Sequence, residues 1–307
     1  MLSALIYQHE KYRSSGINLI VSENTLLPAA SQALASDFAG RYSGEWYGGT
    51  RYATQMIAEV TRLTAQLFHA KHAFITPLSG NICDLATLFS FTPVGGSVAA
   101  VPKEKGGYPL GYHKFHRQLI PLPTEQYRIP VLAAKECITR ECPDMTMLGA
   151  STILFPHPVS ALTVARDFGT LVYDASHVLG LVAGGQFQQP LEEGAEVVVG
   201  STHKSFPGPQ GGIVLTNDDE KADQLHTMLS FDFEQGIGLV DNPHLNRIAA
   251  LGIVLEELLA HGHEYAHQIV QNAQALAQAL HDLDMPVACA EDNFTRTHQV
   301  LLNISQN

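Results

Sequence analysis

The sequence predicts an α/β protein built around a mostly parallel β-sheet. Two observations support this fold class. Short apolar runs alternate with amphipathic segments along the 307-residue chain, and polar motifs directly follow several of the apolar runs. Strands separated by helices are typical of a parallel sheet covered on both faces. Ligands of such sheets bind at the carboxyl ends of the strands, so we expect functional residues there.

Hydrophobic periodicity locates the individual elements. Apolar side chains recur at helical spacing in Thr54–His69, and helices are also predicted at Ser31–Ala39 and Ile82–Phe91. One or two long helices are expected in Pro243–Asp284. The predicted strands are short apolar runs at Ala73–Ile75, Ser97–Val101, Gln118–Leu122, Thr152–Phe155, Thr170–Tyr173, Glu196–Val199 and Gly212–Leu215, followed by two candidates at Pro286–Ala288 and Gln299–Asn303.

Composition excludes several classes of protein. The formal net charge of −12 argues against a nucleic-acid partner. No apolar run approaches the roughly 20 residues needed to span a bilayer, and no signal peptide is recognisable, so we expect no membrane association. Four cysteines without a C-x-x-C pair predict reduced thiols in a cytoplasmic protein. His113 and His116 have no third ligand at a fixed spacing, so no metal site is predicted.

Lys204 is the first candidate for a catalytic residue. It lies in the sequence STHKS, after the apolar run Ala195–Gly200 and before the glycine-rich loop Pro207–Gly212. Burial favours the neutral form of a lysine amine. A neutral amine can condense with a carbonyl group, as it does in enzymes that use pyridoxal phosphate (PLP). The alternative interpretation is a surface lysine beside glycines.

Asp174 strengthens the interpretation of Lys204. It ends the apolar run Thr170–Tyr173 and lies 30 positions before the lysine. PLP requires a carboxylate at its pyridine nitrogen, which keeps the ring protonated as an electron sink. Two neighbouring strands can bring both residues to one edge of a sheet. The acid and the lysine together therefore predict a PLP site.

Several motifs then resemble one family in the same order along the chain. The sequences YDASHVLGLVAGGQF and GSTHKSFPGPQGGIVL resemble serine hydroxymethyltransferase, as do LIVSEN, GGTRY, TPLSGN and KGGYPLG further upstream. The similarity extends from about Asn18 to the end of the chain. It implies a PLP-dependent transferase of fold type I, with an N-terminal arm (1–30), a PLP-binding large domain (31–242), and linking helices with the beginning of a small α/β domain (243–307).

The resemblance implies a phosphate-binding turn at Ser79, Gly80 and Asn81. A turn at a helix N-terminus points backbone N–H groups at an anion. The alternative is an ordinary capped helix. Tyr108 stands where the family usually has a histidine stacked on the pyridine ring, and an aromatic ring can also stack there.

The resemblance assigns further cofactor contacts to three polar residues near the acid and the lysine. His177 matches the histidine near the phenolic oxygen of the ring. Ser201 and His203 precede the lysine as in the family, with serine in place of the usual threonine. For each of these residues, membership of a buried structural network is the alternative.

The N-terminal motifs imply substrate contacts and an oligomer. Ser22 matches a residue near the substrate side chain, and Tyr42 a tyrosine that reaches the phosphate of a neighbouring subunit, so a homodimer or larger assembly is expected. Tyr47 matches an active-site tyrosine. The family glutamate used for substrate and folate chemistry has Glu45 as its only available counterpart, in a segment shorter than the family's.

Three departures from the family pattern affect the functional prediction. Gln210 replaces an arginine, Phe233–Leu239 replaces a glycine-rich loop, and the arginine that binds the substrate carboxylate has no matched residue. The remodelled segment around Glu45 and the absent carboxylate-binding arginine argue against dependence on tetrahydrofolate as a second cofactor.

The predicted activity is chemistry at the α-carbon of a small amino acid such as serine, glycine or threonine. It would proceed by hydroxymethyl transfer or by aldol and retro-aldol reactions. One alternative is a PLP-binding, incomplete subunit for which a separate polypeptide supplies the missing C-terminal domain. Another is an enzyme for an amine without an α-carboxylate.

Overall fold

The structure, a computed structural model, describes residues 1–44, 47–48, 50–232 and 236–304. A seven-stranded sheet lies at the centre of this part of the chain. Its strands are β1 (His72–Phe74), β2 (Ser97–Ala100), β3 (Gln118–Pro121), β4 (Met145–Leu148), β5 (Thr170–Asp174), β6 (Val197–Ser201) and β7 (Gly212–Thr216). A separate pair, β8 (Phe231–Asp232) and β9 (Gly236–Ile237), forms a short antiparallel ribbon.

The sheet is mostly parallel, as the sequence predicts. Its strand order is β1-β7-β6-β5-β4-β2-β3. Strands β2 to β6 run parallel to one another, whereas β7 is antiparallel to both β6 and β1. Every residue of β4, β5 and β6 is buried, as expected for strands covered on both faces. In the register of β5 and β6, Asp174 lies opposite Val199, which brings the ends of these two strands together.

The described residues form eight α-helices. They are α1 (Leu2–Ser14), α2 (Pro28–Leu34), α3 (Thr50–Leu67), α4 (Gly80–Phe91), α5 (Val131–Glu141), α6 (Leu179–Ala183), α7 (Asp219–Leu229) and α8 (Leu245–His281). Helices α2, α3 and α6 contact α8, while α4 contacts α7 and strands β6 and β7. Six of the eight helices thus pack in two groups.

Alternate strand residues supply two buried apolar clusters. On β6, for example, Val198 belongs to one cluster, and Val197 and Val199 belong to the other. The first cluster includes Leu251 and Leu255 of α8. This alternation follows from the two-residue period of a β-strand. The sheet therefore divides the core into two layers.

The predicted strand Thr152–Phe155 is wrong. The strand at this point of the chain is β4, which ends at Leu148, and the predicted segment is irregular. Gly149 has φ of +97°, and a Cβ atom there would lie 2.1 Å from the Asp174 carbonyl oxygen. Only glycine fits this bend, and the chain leaves the strand at this point.

Most of the remaining predicted elements agree with the structure in type and differ mainly in their ends. The prediction Ser31–Ala39 is replaced by helix α2 and a separate 3-10 turn, Asp37–Gly40. The segment Pro243–Asp284 contains one helix, α8. The strand candidates Pro286–Ala288 and Gln299–Asn303 are wrong as strands, because they share only the isolated bridge Val287–Leu302. The division into arm, large domain and partial small domain stays a prediction.

Two further observations concern the whole described chain. All four cysteines are free thiols. Among the described residues, no helix combines the length and apolar character needed to cross a membrane.

Candidate active site

Lys204 lies in a tightly bonded loop between β6 and β7. The Thr202 N–H donates to the Gly211 carbonyl (3.0 Å), and the Thr202 hydroxyl donates to the Pro209 carbonyl (2.6 Å). The lysine is half-buried. Burial lowers the pKa of its amine below the usual range, while the charges of Asp174 and Asp84 act in the opposite direction. This environment favours a neutral, nucleophilic amine more than water does.

Asp174 occupies the last position of β5, at the same sheet edge as Lys204. Its side chain is buried, and its Oδ1 accepts a hydrogen bond from the Ser176 N–H (2.8 Å). The Ser176 hydroxyl in turn accepts a hydrogen bond from the Ser201 N–H (3.1 Å). The predicted acid and the segment that leads to the lysine are thus joined by one short chain of hydrogen bonds.

The turn before α4 forms a cradle close to Ser201. The Ser79 hydroxyl caps the helix by accepting a hydrogen bond from the Ile82 N–H (3.2 Å). A Cβ atom on Gly80 would lie 2.2 Å from the Ser201 Oγ, so only glycine permits this approach. Tyr108 donates a hydrogen bond to the Asn81 side chain (3.1 Å). The helix N-terminus presents the backbone N–H groups that an anion requires.

His177 is held neutral beside the lysine. Burial and the nearby Lys204 charge lower the pKa of His177 to about 3. The Gln299 side-chain amide lies 3.1 Å from His177 Nδ1, and the ring of His298 stacks on that of His177 with a centroid distance of 6.0 Å. Burial also lowers the pKa of His203, with the Lys204 charge as the second cause.

The sequence analysis missed several residues that complete this arrangement. Gln299 also accepts a hydrogen bond from the Ile153 N–H (2.7 Å), and His298 Nε2 lies 3.0 Å from the Val21 carbonyl oxygen. Tyr265 of α8 donates to the Ser205 carbonyl (3.1 Å). No local sequence pattern predicts these contacts, because each joins residues that are far apart along the chain.

Asp84 is a second buried acid that the sequence analysis missed. It is 2% exposed, and one of its carboxylate oxygens has no hydrogen-bond partner within the described ranges. Burial and the charge of Asp174 raise the pKa of Asp84 well above its usual range. Its position one turn after Gly80 on α4 was the available signal.

The N-terminal candidates lie in two places, Ser22 at a cavity and Tyr42 and Tyr47 at the protein surface. Ser22 is exposed and lines a cavity of about 890 Å³ together with His203 and Gln210. Tyr42 and Tyr47 stack on each other at 5.7 Å, and each is more than half exposed. Glu45 lies outside the described residues. A second cavity, of about 530 Å³, is lined by Lys204 together with apolar side chains of α8.

The residues at the sheet edge fit PLP. They combine a half-buried amine, a carboxylate on the neighbouring strand and an N-capped helix terminus that approaches both strands closely. These groups match the carbonyl, the pyridine nitrogen and the phosphate of that cofactor. Fold and site together define a PLP-dependent enzyme of fold type I.

Comparison with known proteins specifies the family. The serine hydroxymethyltransferase family profile matches residues 158–307. Serine hydroxymethyltransferase of Korarchaeum cryptofilum is 39% identical over 97% of this chain and 73% of its own length. The Methanothermobacter thermautotrophicus protein of the same name is 40% identical over 98% of this chain and 73% of its own length. The chain belongs to the serine hydroxymethyltransferase family.

A solved structure agrees with this assignment. The crystal structure of L-threonine transaldolase from Pseudomonas fluorescens superposes with a TM-score of 0.89 and 26% sequence identity. The match covers 98% of this chain and 71% of the transaldolase chain. This neighbour supports the assignment as a PLP-dependent enzyme of the transferase or aldolase type.

Proposed function

We propose that this chain makes and breaks the bond between the α- and β-carbons of a small β-hydroxy amino acid, with glycine as the other amino acid of the reaction. Hydroxymethyl transfer and aldol chemistry are both forms of this step. The single observation that supports the proposal most is the half-buried Lys204 amine, with its lowered pKa, beside the buried Asp174.

Bound PLP would supply an electron sink for the negative charge that develops on the amino acid's α-carbon. Asp174 would hold a proton at the ring nitrogen, since its carboxylate is the buried acid at the end of β5. The N-terminus of α4 would hold the phosphate through its free N–H groups. Lys204 would carry the cofactor and then accept or return protons beside the substrate.

His177 would orient the cofactor as a neutral hydrogen-bond donor. The Gln299 amide donates to His177 Nδ1, which leaves the ring proton on Nε2. With a pKa of about 3, the ring remains neutral across the physiological range. A neutral donor can orient an oxygen of the cofactor without adding a second positive charge beside Lys204.

Serine and threonine are the substrates to test first. Purified protein loaded with PLP should convert threonine or serine to glycine with release of the aldehyde, measured by a coupled dehydrogenase. Loss of this activity in Lys204→Ala is expected. Absence of turnover in a PLP-loaded wild-type protein, with both amino acids, would contradict the proposal.

Folate use is a separate question within this proposal. The segment around Glu45 differs from the family pattern, so we expect serine cleavage to gain little from added tetrahydrofolate. An assay of serine conversion with and without tetrahydrofolate tests this expectation directly. A stimulation of about tenfold or more would show that the remodelled segment still supports folate chemistry. The alternative of an incomplete, partner-dependent subunit has no support from the comparisons.

The same proposal includes a homodimer or larger assembly. Helix α1 has no buried residue in the single chain, although Leu2, Leu5 and Ile6 are apolar. The exposed Tyr42 and Tyr47 lie in the segment expected to reach a neighbouring subunit. Light scattering should give at least twice the mass of one 33.3 kDa chain. An active, PLP-loaded monomer would contradict this part of the proposal.

A further inference from the structure

Arg247 is a buried cation that the proposed reaction does not use. It lies in the first turn of α8 and is 6% exposed. Its Nη2 donates to the Ile75 carbonyl, whereas Nε and Nη1 are buried without a hydrogen-bond partner among the residues described by the structure. None of the salt bridges described includes Arg247. A buried guanidinium without an anion is strongly unfavourable, so its presence requires an explanation.

The position of Arg247 suggests the explanation. Ile75, which accepts its hydrogen bond, directly precedes the turn Thr76–Asn81 that caps α4. On the other side, a Cβ atom on Gly211 would lie only 2.5 Å from Arg247 Nη1. The guanidinium is therefore packed between the start of the turn Thr76–Asn81 and the loop that carries Lys204.

These two segments are also bonded to each other. The Gly212 N–H donates to the Pro77 carbonyl (2.9 Å), and a Cβ atom on Gly212 would lie 2.7 Å from the Ser79 carbonyl oxygen. The guanidinium of Arg247 contacts both segments at this junction, so its charge lies behind the cradle formed by Ser79 and Gly80. Ile75, Gly211 and Gly212 are buried, so the guanidinium lies on the interior side of the cradle rather than in solvent.

We propose that Arg247 supplies the positive charge that balances the phosphate group of the cofactor, from behind the turn that binds it. A phosphate carries close to two negative charges near neutral pH, and guanidinium is the cationic group best suited to it. Opposite charges attract more strongly when one of them is buried than when both are in water. The phosphate group of bound cofactor thus balances the charge of the buried Arg247, and this charge raises the affinity of the protein for the phosphorylated cofactor.

The charge of Arg247 survives its burial. Desolvation lowers the pKa of Arg247 to about 10, so the group is still protonated at neutral pH. The sequence itself gave no positional reason to connect Arg247 with the cofactor, since it lies 43 positions beyond Lys204 on another element. Gln210, where the family has an arginine, is exposed and neutral. Arg247 is the buried guanidinium adjoining the Lys204 loop.

The test compares PLP with pyridoxal, which lacks the phosphate but can still react with Lys204. Both are titrated into apoprotein and followed by visible absorbance. In Arg247→Met, the affinity for PLP should fall at least ~10-fold, while the affinity for pyridoxal should change by less than ~2-fold. Inorganic phosphate should compete with PLP in the wild type and compete at least ~10-fold more weakly in the variant. Arg247→Lys, which retains a charge, should recover part of the preference for PLP.

Arg117→Met is the matched control. Arg117 is also buried, but each of its three guanidinium nitrogens donates a hydrogen bond, to Thr92 or Phe115, which belong to another part of the fold. Its ratio of PLP to pyridoxal affinity should remain that of the wild type. An Arg247→Met variant in which both affinities fall by the same factor, or in which neither falls, overturns the proposal.

A second variant applies if Arg247→Met does not fold. In Gly211→Ala the new methyl group would displace the guanidinium, so the same selective loss of PLP affinity is expected, and an unchanged ratio overturns the proposal. The inference depends on PLP being the cofactor. Wild-type protein that bound neither compound would contradict the cofactor as well, whereas binding with an unaffected ratio contradicts only the role of Arg247.

Discussion

The side-chain amide of Asn24 donates a 2.7 Å hydrogen bond to the main-chain carbonyl of Lys204. The same nitrogen lies 3.0 Å from the hydroxyl of Tyr265, which itself donates to the Ser205 carbonyl. The backbone at the lysine is therefore fixed from two directions by side chains of the N-terminal segment and of α8. A fixed backbone limits where the lysine amine can be placed.

Covalent attachment of the cofactor should occur at Lys204. Borohydride reduction of the PLP-loaded protein followed by peptide mass spectrometry should place the pyridoxyl group on this residue, because burial favours its neutral amine. Lys204→Ala should retain PLP without a covalent bond. Lys221, whose amine donates to the Thr170 hydroxyl, provides the control, since Lys221→Ala should be labelled as the wild type is. Label on another lysine would refute the assignment.

Replacement of Asp174 should weaken catalysis more than folding. Asn retains an oxygen that can accept the Ser176 hydrogen bond, but it removes the negative charge that keeps the ring nitrogen protonated. We expect kcat to fall by about 10²-fold or more in Asp174→Asn, on the scale of a lost preorganised electrostatic contact. Steady-state kinetics on PLP-saturated protein measure the loss. The exposed Asp219→Asn is the control, and full activity of Asp174→Asn would exclude the assigned role.

The close approach between Gly80 and Ser201 should be required for binding of the cofactor. Gly80→Ala would place a methyl group 2.2 Å from the Ser201 Oγ, so α4 or β6 would have to move. Overpacking of this kind costs about 1–3 kcal/mol of stability, and we expect the affinity for PLP to fall at least ~10-fold. Gly40→Ala is the matched control, since nothing lies within 4 Å of its added Cβ. Unchanged PLP affinity in Gly80→Ala would mean that the turn does not bind the phosphate.

His157 should make the folded protein sensitive to acid. It is 3% exposed, its Nδ1 accepts a hydrogen bond from the Gly149 N–H (3.0 Å), and burial lowers its pKa to about 4. The unfolded chain binds this proton below pH ~6.5. Between the two pKa values His157 is protonated only in the unfolded state. Its contribution to the stability of the folded protein is therefore complete above pH ~6.5 and is lost as the pH falls towards 4.

The matched variant for this effect is His157→Asn. Asn can accept the Gly149 hydrogen bond without titrating. Urea unfolding at pH 7.5 and pH 4.5 should show that the variant loses about 2–3 kcal/mol less stability between these pH values than the wild type, since one pKa unit corresponds to about 1.4 kcal/mol. Equal losses in both proteins would show that His157 is not the titrating group.

The sequence predicted the parts of the site that depend on local order. Asp174 ends one apolar strand and Lys204 follows the next, and a parallel sheet brings such positions together without further information. The cap at Ser79 follows equally from local helix chemistry. The fold class, which the structure confirms, could be predicted for the same reason, because the alternation of strands and helices is a local pattern.

The missed features depend on contacts between distant segments. Gln299 and His298 reach His177 across more than 100 positions, and nothing in their own neighbourhood distinguishes them. The wrong strand at Thr152–Phe155 has a related cause. Its apolar side chains suit a strand, but the chain bends at Gly149, where the carbonyl of Asp174 on another strand leaves no room for a side chain. Periodicity cannot reveal a steric constraint that arises only in the folded chain.

The hydrogen bonds around Lys204 have a consequence for how the protein folds. Asn24 and Lys204 are separated by 180 positions, and His298 and Val21 by 277. Contacts across such long loops form slowly, because the entropy of closing each loop is lost before the contact stabilises the chain. The cofactor site should therefore be among the last regions to become ordered during refolding. PLP present at that stage would bind only the completed site and would draw the equilibrium towards the native state by mass action.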